Sequence, residues 1–477
     1  MASSGIGQTV AQHYNNLDER GKEHRKESRI YYMRNFNNWT KSMLIQQYSD
    51  KIKESRPELQ KSRGDGFHGQ NRGRYQQGGN YGNHSHERNY QNRGDYGHSN
   101  HGQGYGRHPG EYNRHDDRYG NQDYHNRHRD EEHESQVDNQ FSVLDLGCGK
   151  GGDLLKWSKA GVDNMTCVDI AETSVEQAKD RYNQMKQRNR GRIFKANFFA
   201  ADCTKTRLLD KYQASANMTT NTPKFDIVSC QFAFHYSFET QAQAECMVRN
   251  AAECLKPGGY FIGTTPDANV IWERLKNQQN NRFGNSVYTV EFDENSPVLT
   301  ALKQNSHGNE TQGKVAGKMP KDLPTFGVGY NFHLEGVVDC PEFMVNFDAL
   351  SDIAERHGLV LAGKQGFENF FKEKRNTREG TNLLRRINAL EPYPPCRGAN
   401  LVGDSKDSYS AAIAYLEKLE SNKQDDSHPR NNPIRPDAEP IFVLEDRPGR
   451  DFQVGTLSKE EWEAITLYCV FAFKKKR

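Results

Sequence analysis

From Gln60 to Gln136 the chain contains no Leu, Ile, Val, Met, Ala, Cys or Trp. A stretch with so little apolar surface cannot offset the conformational entropy of folding, so it is expected to be disordered. Only 34% of the 477 residues are hydrophobic, so part of the chain must lie outside any packed core. The nine cysteines are scattered, with no C-x-x-C pair and no Cys/His cluster at metal spacing. That excludes a structural zinc site, predicts no metal, and fits free thiols in a reducing compartment. No apolar run approaches the length of a membrane span, and no apolar N-terminal segment resembles a signal peptide. The expectation is a soluble intracellular protein without a membrane partner. The formal net charge of +2 favours no class of partner.

What fills the apolar-free segment is Gly, Asn, Arg, Tyr, His and Gln. Its cations are almost all arginines interleaved with tyrosines, as in Asn71-Arg72-Gly73-Arg74-Tyr75 and Arg88-Asn89-Tyr90. Arg and Tyr both stack on unpaired bases. Asp116, Asp117 and the acids from Asp130 to Glu134 offset the charge, so counterion release alone gives weak binding. RNA contact and a plain solvated spacer both stay open. The histidines have no fixed geometry and are read as incidental.

The stretch that organises the rest is Val143-Leu144-Asp145-Leu146-Gly147-Cys148-Gly149-Lys150-Gly151-Gly152-Asp153. An apolar strand runs into a glycine-rich turn and then a helix beginning near Asp153. Glycines at this density allow positive φ and a close ligand approach to the main chain. Gly147, Gly149 and Gly152 fit the dinucleotide pattern G-x-G-x-x-G, with Asp169 at the distance of a ribose-binding carboxylate. A nicotinamide enzyme is therefore an alternative. Charge argues against it, because Asp145 and Asp153 would repel a pyrophosphate. S-adenosylmethionine, with an adenosine, a sulfonium and no phosphate, is the better match.

Taken in order, residues 8 to 53 read as helical. Ile30, Phe36 and Trp39 suit a helix docked on a core, and Asn37 and Asn38 carry amides that can read base edges and ribose hydroxyls. The folded body starts near Phe141. Asn164 to Asp169 is a second strand, and Asp169 can accept both ribose hydroxyls. Thr173 or Ser174 is expected to cap the helix that follows. Phe198 to Asp202 is a third strand, with Asp202 placed for the adenine amine. Phe225 to Phe232 is a fourth, a helix runs from about Glu239 to Leu255, and Lys256-Pro257-Gly258-Gly259 turns into a fifth strand. Ala464 to Phe473 closes the sheet. Strands alternating with helices predict an α/β fold with a mostly parallel, doubly wound sheet and helices on both faces. Ligands in such sheets sit at the carboxyl ends of strands. The glycine turn, Asp169, Asp202 and Gln231 fall there on four successive strands. Residues 293–325 and 420–453 read as polar surface insertions. Lys474 to Arg477 is a nuclear-import patch or a basic tail. The expected domains are a helical arm over 1–55, a disordered segment over 56–138 and a catalytic domain over 139–477.

A set of longer motifs runs through the chain: Arg34-Asn35-Phe36-Asn37-Asn38-Trp39, the run Leu146 to Trp157, Cys230-Gln231-Phe232 with His235-Tyr236-Ser237-Phe238-Glu239, and Pro257 to Pro266. It continues through Leu334-Glu335-Gly336-Val337-Val338-Asp339, Ala389 to Pro394 and Gly455 to Ser458. On these motifs the chain closely resembles the eukaryotic mRNA cap guanine-N7 methyltransferases, a class I family with a Rossmann-like fold. The apolar-free segment departs from it by separating two blocks that the family keeps close. The resemblance implies that Lys41, Gly147, Asp169, Asp202, Gln231 and Tyr236 hold S-adenosylmethionine. It implies that Asn37, Asn38, Lys150, Lys156, Arg181, His235, Glu335 and Tyr468 bind the cap. Lys150, Lys156 and Arg181 suit an anionic triphosphate. Glu335 would accept from the N1–H and 2-amino group of guanine. Without the motif, His235 would read as structural and Tyr468 as core. Guanine N7 has a free lone pair, so in-line methyl transfer needs no general base, and none is predicted. The implied partners are capped RNA and, beyond it, a capping enzyme, the RNA polymerase II tail or a small activating subunit, in the nucleus. A non-catalytic RNA-binding scaffold is the competing class; intact turnover after deletion of 60–136 separates the two.

Overall fold

The computed structural model describes residues 6–16, 28–61, 139–191, 193–214, 223–307, 319–320, 322–423, 441–445 and 453–477. Residues 62–138, and with them nearly all of the expected disordered segment, lie outside this set. The arm and the body, Met1–Leu59 with Gln140–Arg477, form one compact unit.

Five parallel strands make the centre: β1 (Ser142–Leu146), β2 (Asn164–Asp169), β3 (Lys195–Ala200), β4 (Phe225–Gln231) and β5 (Leu255–Pro266). β4 is buried along its whole length, as a strand covered on both faces should be. β6 (Arg282–Gly284), β7 (Tyr288–Glu291), β8 (Gly329–Leu334) and β9 (Val338–Phe343) form an antiparallel sheet of their own. β10 (Leu359–Gly366) returns to the main sheet. β11 (Glu391–Tyr393), β12 (Phe442–Glu445) and β13 (Gln453–Thr456) build a third small sheet, and β14 (Tyr468–Lys475) inserts antiparallel between β5 and β10. The main order is β10-β14-β5-β4-β1-β2-β3. This is the Rossmann-like, mostly parallel sheet with helices that the alternation predicted. At Gly263 a Cβ would lie 2.4 Å from the Cys230 carbonyl oxygen and 2.5 Å from the Phe471 ring, so only glycine fits where β5 meets its neighbours.

Two helices make the arm, α1 (Ile6–Asn16) and α2 (Tyr31–Ser55), where the sequence reading had one continuous helix. α2 buries Met33, Phe36, Trp39, Leu44, Tyr48 and Ile52. Phe36 packs on Trp39, Phe371 and Trp462, and the Trp39 indole N–H donates to the Gly380 carbonyl at 2.9 Å. Each such aromatic contributes roughly 1.5–3 kcal/mol by burial, so α2 belongs to the core. The docked chain runs past residue 55: Arg56 pairs with buried Asp226, and Leu59 is buried.

Between the strands run α3 (Leu154–Ala160), α4 (Glu172–Arg188), α5 (Leu208–Ala214) and α6 (Gln241–Glu253). α4 has no side-chain cap from Thr173 or Ser174. Instead Asp169 accepts from the Ala171 N–H at 2.9 Å, and Asn15 of α1 accepts from the Thr173 N–H at 3.2 Å. The third strand starts earlier than read and stops at Ala200, leaving Asp202 in the following turn. Ala464 and Ile465 end a helix, Lys459–Ile465, fixed by a Ser458–Glu461 capping box, so the last strand starts only at Tyr468. Neither polar insertion is wholly a surface loop. The first holds the helix Pro297–His307 with buried Val298, and β12 lies in the second.

Candidate active site

A cavity of about 290 Å³ opens at the carboxyl ends of β1 to β4. Its wall brings together all six expected cofactor residues: Lys41, Gly147, Asp169, Asp202, Gln231 and Tyr236. Asp169 ends β2, and its second oxygen accepts from the Gly149 N–H at 2.8 Å, so one carboxylate ties the glycine turn to the start of α4. Burial raises the Asp169 carboxyl, and the N–H groups of Ala171, Gly149 and Ile170 oppose that rise. Asp202 accepts from the Thr204 N–H at 2.9 Å and hydroxyl at 2.6 Å. Phe232, just past Gln231, takes φ +58, a strained conformation for a bulky side chain. Its N–H is held by Thr264 through the hydroxyl at 2.9 Å and the carbonyl at 3.1 Å.

Asp145 and Asp153 are not the free negative charges that the sequence implies. Asp145 is buried, and burial first and Asp153 second push its carboxyl well above the usual range. Burial also works to raise Asp153, but Lys156 and Lys41, each 2.8 Å away, outweigh it and hold that carboxyl low. The cations these acids attract are therefore the protein's own. Lys156 also donates to Asn38 Oδ1 at 2.8 Å, joining α3 to α2.

Beside the cavity, on the 3-10 turn Phe234–Glu239, lies buried His235. Its Nε2 is 3.2 Å from Glu342 Oε1, yet neither ring nitrogen has a hydrogen bond among the described residues. Tyr330 donates to Glu342 Oε2 at 2.9 Å. Burial, then Glu342 itself, pushes the Tyr330 phenol up, so it remains a donor. Tyr468 is buried nearby, its ring edge-on to Phe232 and Phe332.

Glu335 is not brought to this cluster. It sits in the turn between β8 and β9, with its side chain 57% exposed and 3.9 Å from the exposed His333 Nε2. The hairpin explains why. Tyr330 and Glu342 are register partners, and alternation turns Cys340 and Glu342 inward. Asn37, Lys150 and Arg181 are half-buried around the site without lining the cavity. Sequence reasoning missed Glu342, whose signal was the strand parity of Val338–Phe343. It also missed Ile6, Gly7, Val10 and Tyr14 of α1, which close one side of the cavity. The Tyr14 hydroxyl lies 3.4 Å from that of Tyr236, and a Cβ on Gly7 would lie 3.2 Å from Asp202 Oδ2. The i, i+4 pair Val10 and Tyr14 was the available sign.

A family profile described as the mRNA (guanine-N(7))-methyltransferase domain matches residues 1–61 and 126–476. The chain belongs to that family. The mRNA cap guanine-N(7) methyltransferase of Drosophila melanogaster is 37% identical over 99% of this chain and 79% of its own length. The Caenorhabditis elegans protein of the same name is 32% identical over 98% and 87%. That of Schizosaccharomyces pombe is 35% identical over 52% and 61%. As a member, the chain is an S-adenosylmethionine-dependent cap guanine-N7 methyltransferase, which disposes of the nicotinamide and scaffold alternatives. The cavity suits that cofactor. Gln231 Oε1 is buried without a partner, ready to accept from a ligand. At Gly147, φ is +70 and a Cβ would come within 2.6 Å of the Ala233 Cβ, while Gly149 leaves its side of the turn open. Among the described residues no group of His, Cys, Asp and Glu is placed to hold a metal ion, and no helix is long and apolar enough to cross a membrane.

Proposed function

We propose that the cavity at the strand ends holds S-adenosylmethionine and that His235, Glu342 and Tyr468 hold the cap guanine beside it. The observation that carries this reading is the adjacency of the cavity to a buried His–Glu–Tyr set with unsatisfied ring nitrogens. Asp169 takes the ribose hydroxyls, Asp202 and Gln231 the adenine, and Lys41, Gly147 and Tyr236 the methionine part. Bound there, S-adenosylmethionine supplies an electrophilic methyl group on a sulfonium sulfur.

Glu342 replaces Glu335 as the reader of guanine. Tyr330 occupies one lone pair of Oε2, and His235 stands beside Oε1. Each oxygen keeps a lone pair, for the N1–H and the 2-amino group side by side. Adenine offers no such pair of donors and is rejected. N7 lies on the opposite edge of the purine and so points away from Glu342. Lys150, Lys156 and Arg181 take the triphosphate, and Asn37 and Asn38 contact the cap from α2. N7 carries its lone pair at neutral pH, so no side chain has to remove a proton. The chain contributes position, which for well-oriented reactants recovers roughly 7–11 kcal/mol of the barrier. The work is assigned to nascent transcripts in the nucleus, with the arm docked on the catalytic body through Leu59 and the chain beyond it, to residue 138, assigned as a tether. A capping enzyme, polymerase tail or small activating subunit serves recruitment in this account, not chemistry.

The test is label transfer from S-adenosylmethionine to RNA ending in GpppN, using the purified chain alone, with 7-methylated cap as control. Label on the first substrate only supports the reading. Equal label on both places the methyl elsewhere.

A further inference from the structure

The outer face of α3 carries two features that cap recognition does not use. Leu155 is 53% exposed, one of three large hydrophobic side chains so exposed among the described residues. Lys159, four residues on, shares its face and is exposed. Lys156 points the other way, into Asn38 and the Gly152 carbonyl at 3.0 Å.

Both α3 and the helix Arg378–Arg386 pack along α2. Asn38 of α2 holds Lys156. Asn35, one turn earlier, donates to the Asn388 carbonyl at 3.1 Å, just beyond that second helix. The C-terminal ends of the two helices therefore converge, Lys159 in the last turn of one and exposed Arg386 in the last turn of the other. Burial lowers the Lys159 ammonium, and Arg386 pushes it the same way. Among the described residues neither has an acidic partner. A cation at each helix C-terminus suits the helix dipole. The dipole does not account for two unpaired cations brought together beside an exposed leucine. An anion with apolar faces accounts for all three, and on its other face the same helix carries Lys156, where the triphosphate is assigned.

We propose that Leu155, Lys159 and Arg386 form a subsite for the single-stranded RNA that follows the cap, the two cations taking backbone phosphates and Leu155 seating the face of a base or ribose. The inference rests on the cap reading above. It is tested in the full chain with the double variant Lys159→Ala/Arg386→Ala, comparing the dinucleotide GpppG with a short capped oligonucleotide. KM for the oligonucleotide should rise roughly tenfold, and the salt dependence of its binding should weaken by about 1.4 in log–log slope, the share of two single-strand contacts. KM and kcat for GpppG should not change. The charge-keeping variant Lys159→Arg/Arg386→Lys should restore the oligonucleotide KM. An unchanged oligonucleotide KM, or equal losses on both substrates, would overturn the subsite. So would a double variant that loses only binding to polyglutamate, which would give the patch to an acidic protein. A wild-type chain that methylates neither substrate would overturn the cap reading itself, a result distinct from any of these.

Discussion

Asp169 spends both carboxylate oxygens on backbone N–H groups, from Gly149 and from Ala171. It therefore shapes the glycine turn as well as facing the cavity. Asp169→Ala should raise the Kd for S-adenosylmethionine by roughly 100-fold, as expected when a buried charged acceptor and its N–H partners part. Calorimetric titration reads this directly, and unchanged affinity would remove the ribose assignment. Tyr330 packs on Phe292 and donates to Glu342, and the role proposed for it runs through that carboxylate. Tyr330→Phe should lower kcat/KM for GpppN roughly tenfold through KM, with cofactor affinity intact. Loss of both affinities together would make Tyr330 merely structural. Of the proposed cofactor residues, Gly147, Asp169, Asp202 and Gln231 were legible because each ends or closely follows an apolar strand, whereas Lys41, inside α2, and Tyr236, in the 3-10 turn, came only from the family resemblance. Glu342 was not, because its direction depends on where the turn Glu335-Gly336-Val337 reverses the chain. One residue of register decides which glutamate faces inward.

Among the elements, the arm divides into two helices with different roles. α2 was legible from its apolar spacing because its partners are core residues. α1 buries only Val10, so it adds little to the core, yet four of its residues line the cavity. Removing residues 1–16 should leave the Tm within a few degrees of wild type and raise the cofactor Kd by about tenfold, the contribution of a modest apolar contact. A large fall in Tm would instead make α1 part of the core. At the other end of the arm, Glu461 accepts from the Met33 N–H at 3.1 Å as α2 begins, and Arg29 approaches it at 4.0 Å. Burial pushes the Glu461 carboxyl up from 4.5 to about 7, against the pull of Arg29. With the folded value raised, the native state binds more protons than the unfolded chain between these pH values, so stability falls as pH rises from about 4.5 to about 7. Thermal melts should show this slope in the wild type and lose it in Glu461→Gln. A slope that persists in the variant belongs to another group.

At the scale of the whole molecule, no single layer makes the site. The parallel sheet supplies the strand ends, the arm closes over them, and the β8–β9 hairpin supplies Glu342, the carboxylate proposed to read the base. The sheet was legible because continuous apolar strands alternating with helices admit few arrangements. The two small sheets were not, since strands as short as β6, β11 and β12 resemble loops in composition, and β11 is held by pairing with β13 across a long sequence gap. The assembly commits the account to Glu342 at the guanine edge. The most direct measurement compares methyl transfer to GpppN-capped RNA by Glu342→Gln and Glu335→Gln, with the cofactor Kd determined for each. The account predicts a fall in kcat/KM of roughly 10- to 100-fold for Glu342→Gln, near-wild-type turnover for Glu335→Gln, and unchanged cofactor binding in both. Full activity in Glu342→Gln with a collapse in Glu335→Gln would contradict it.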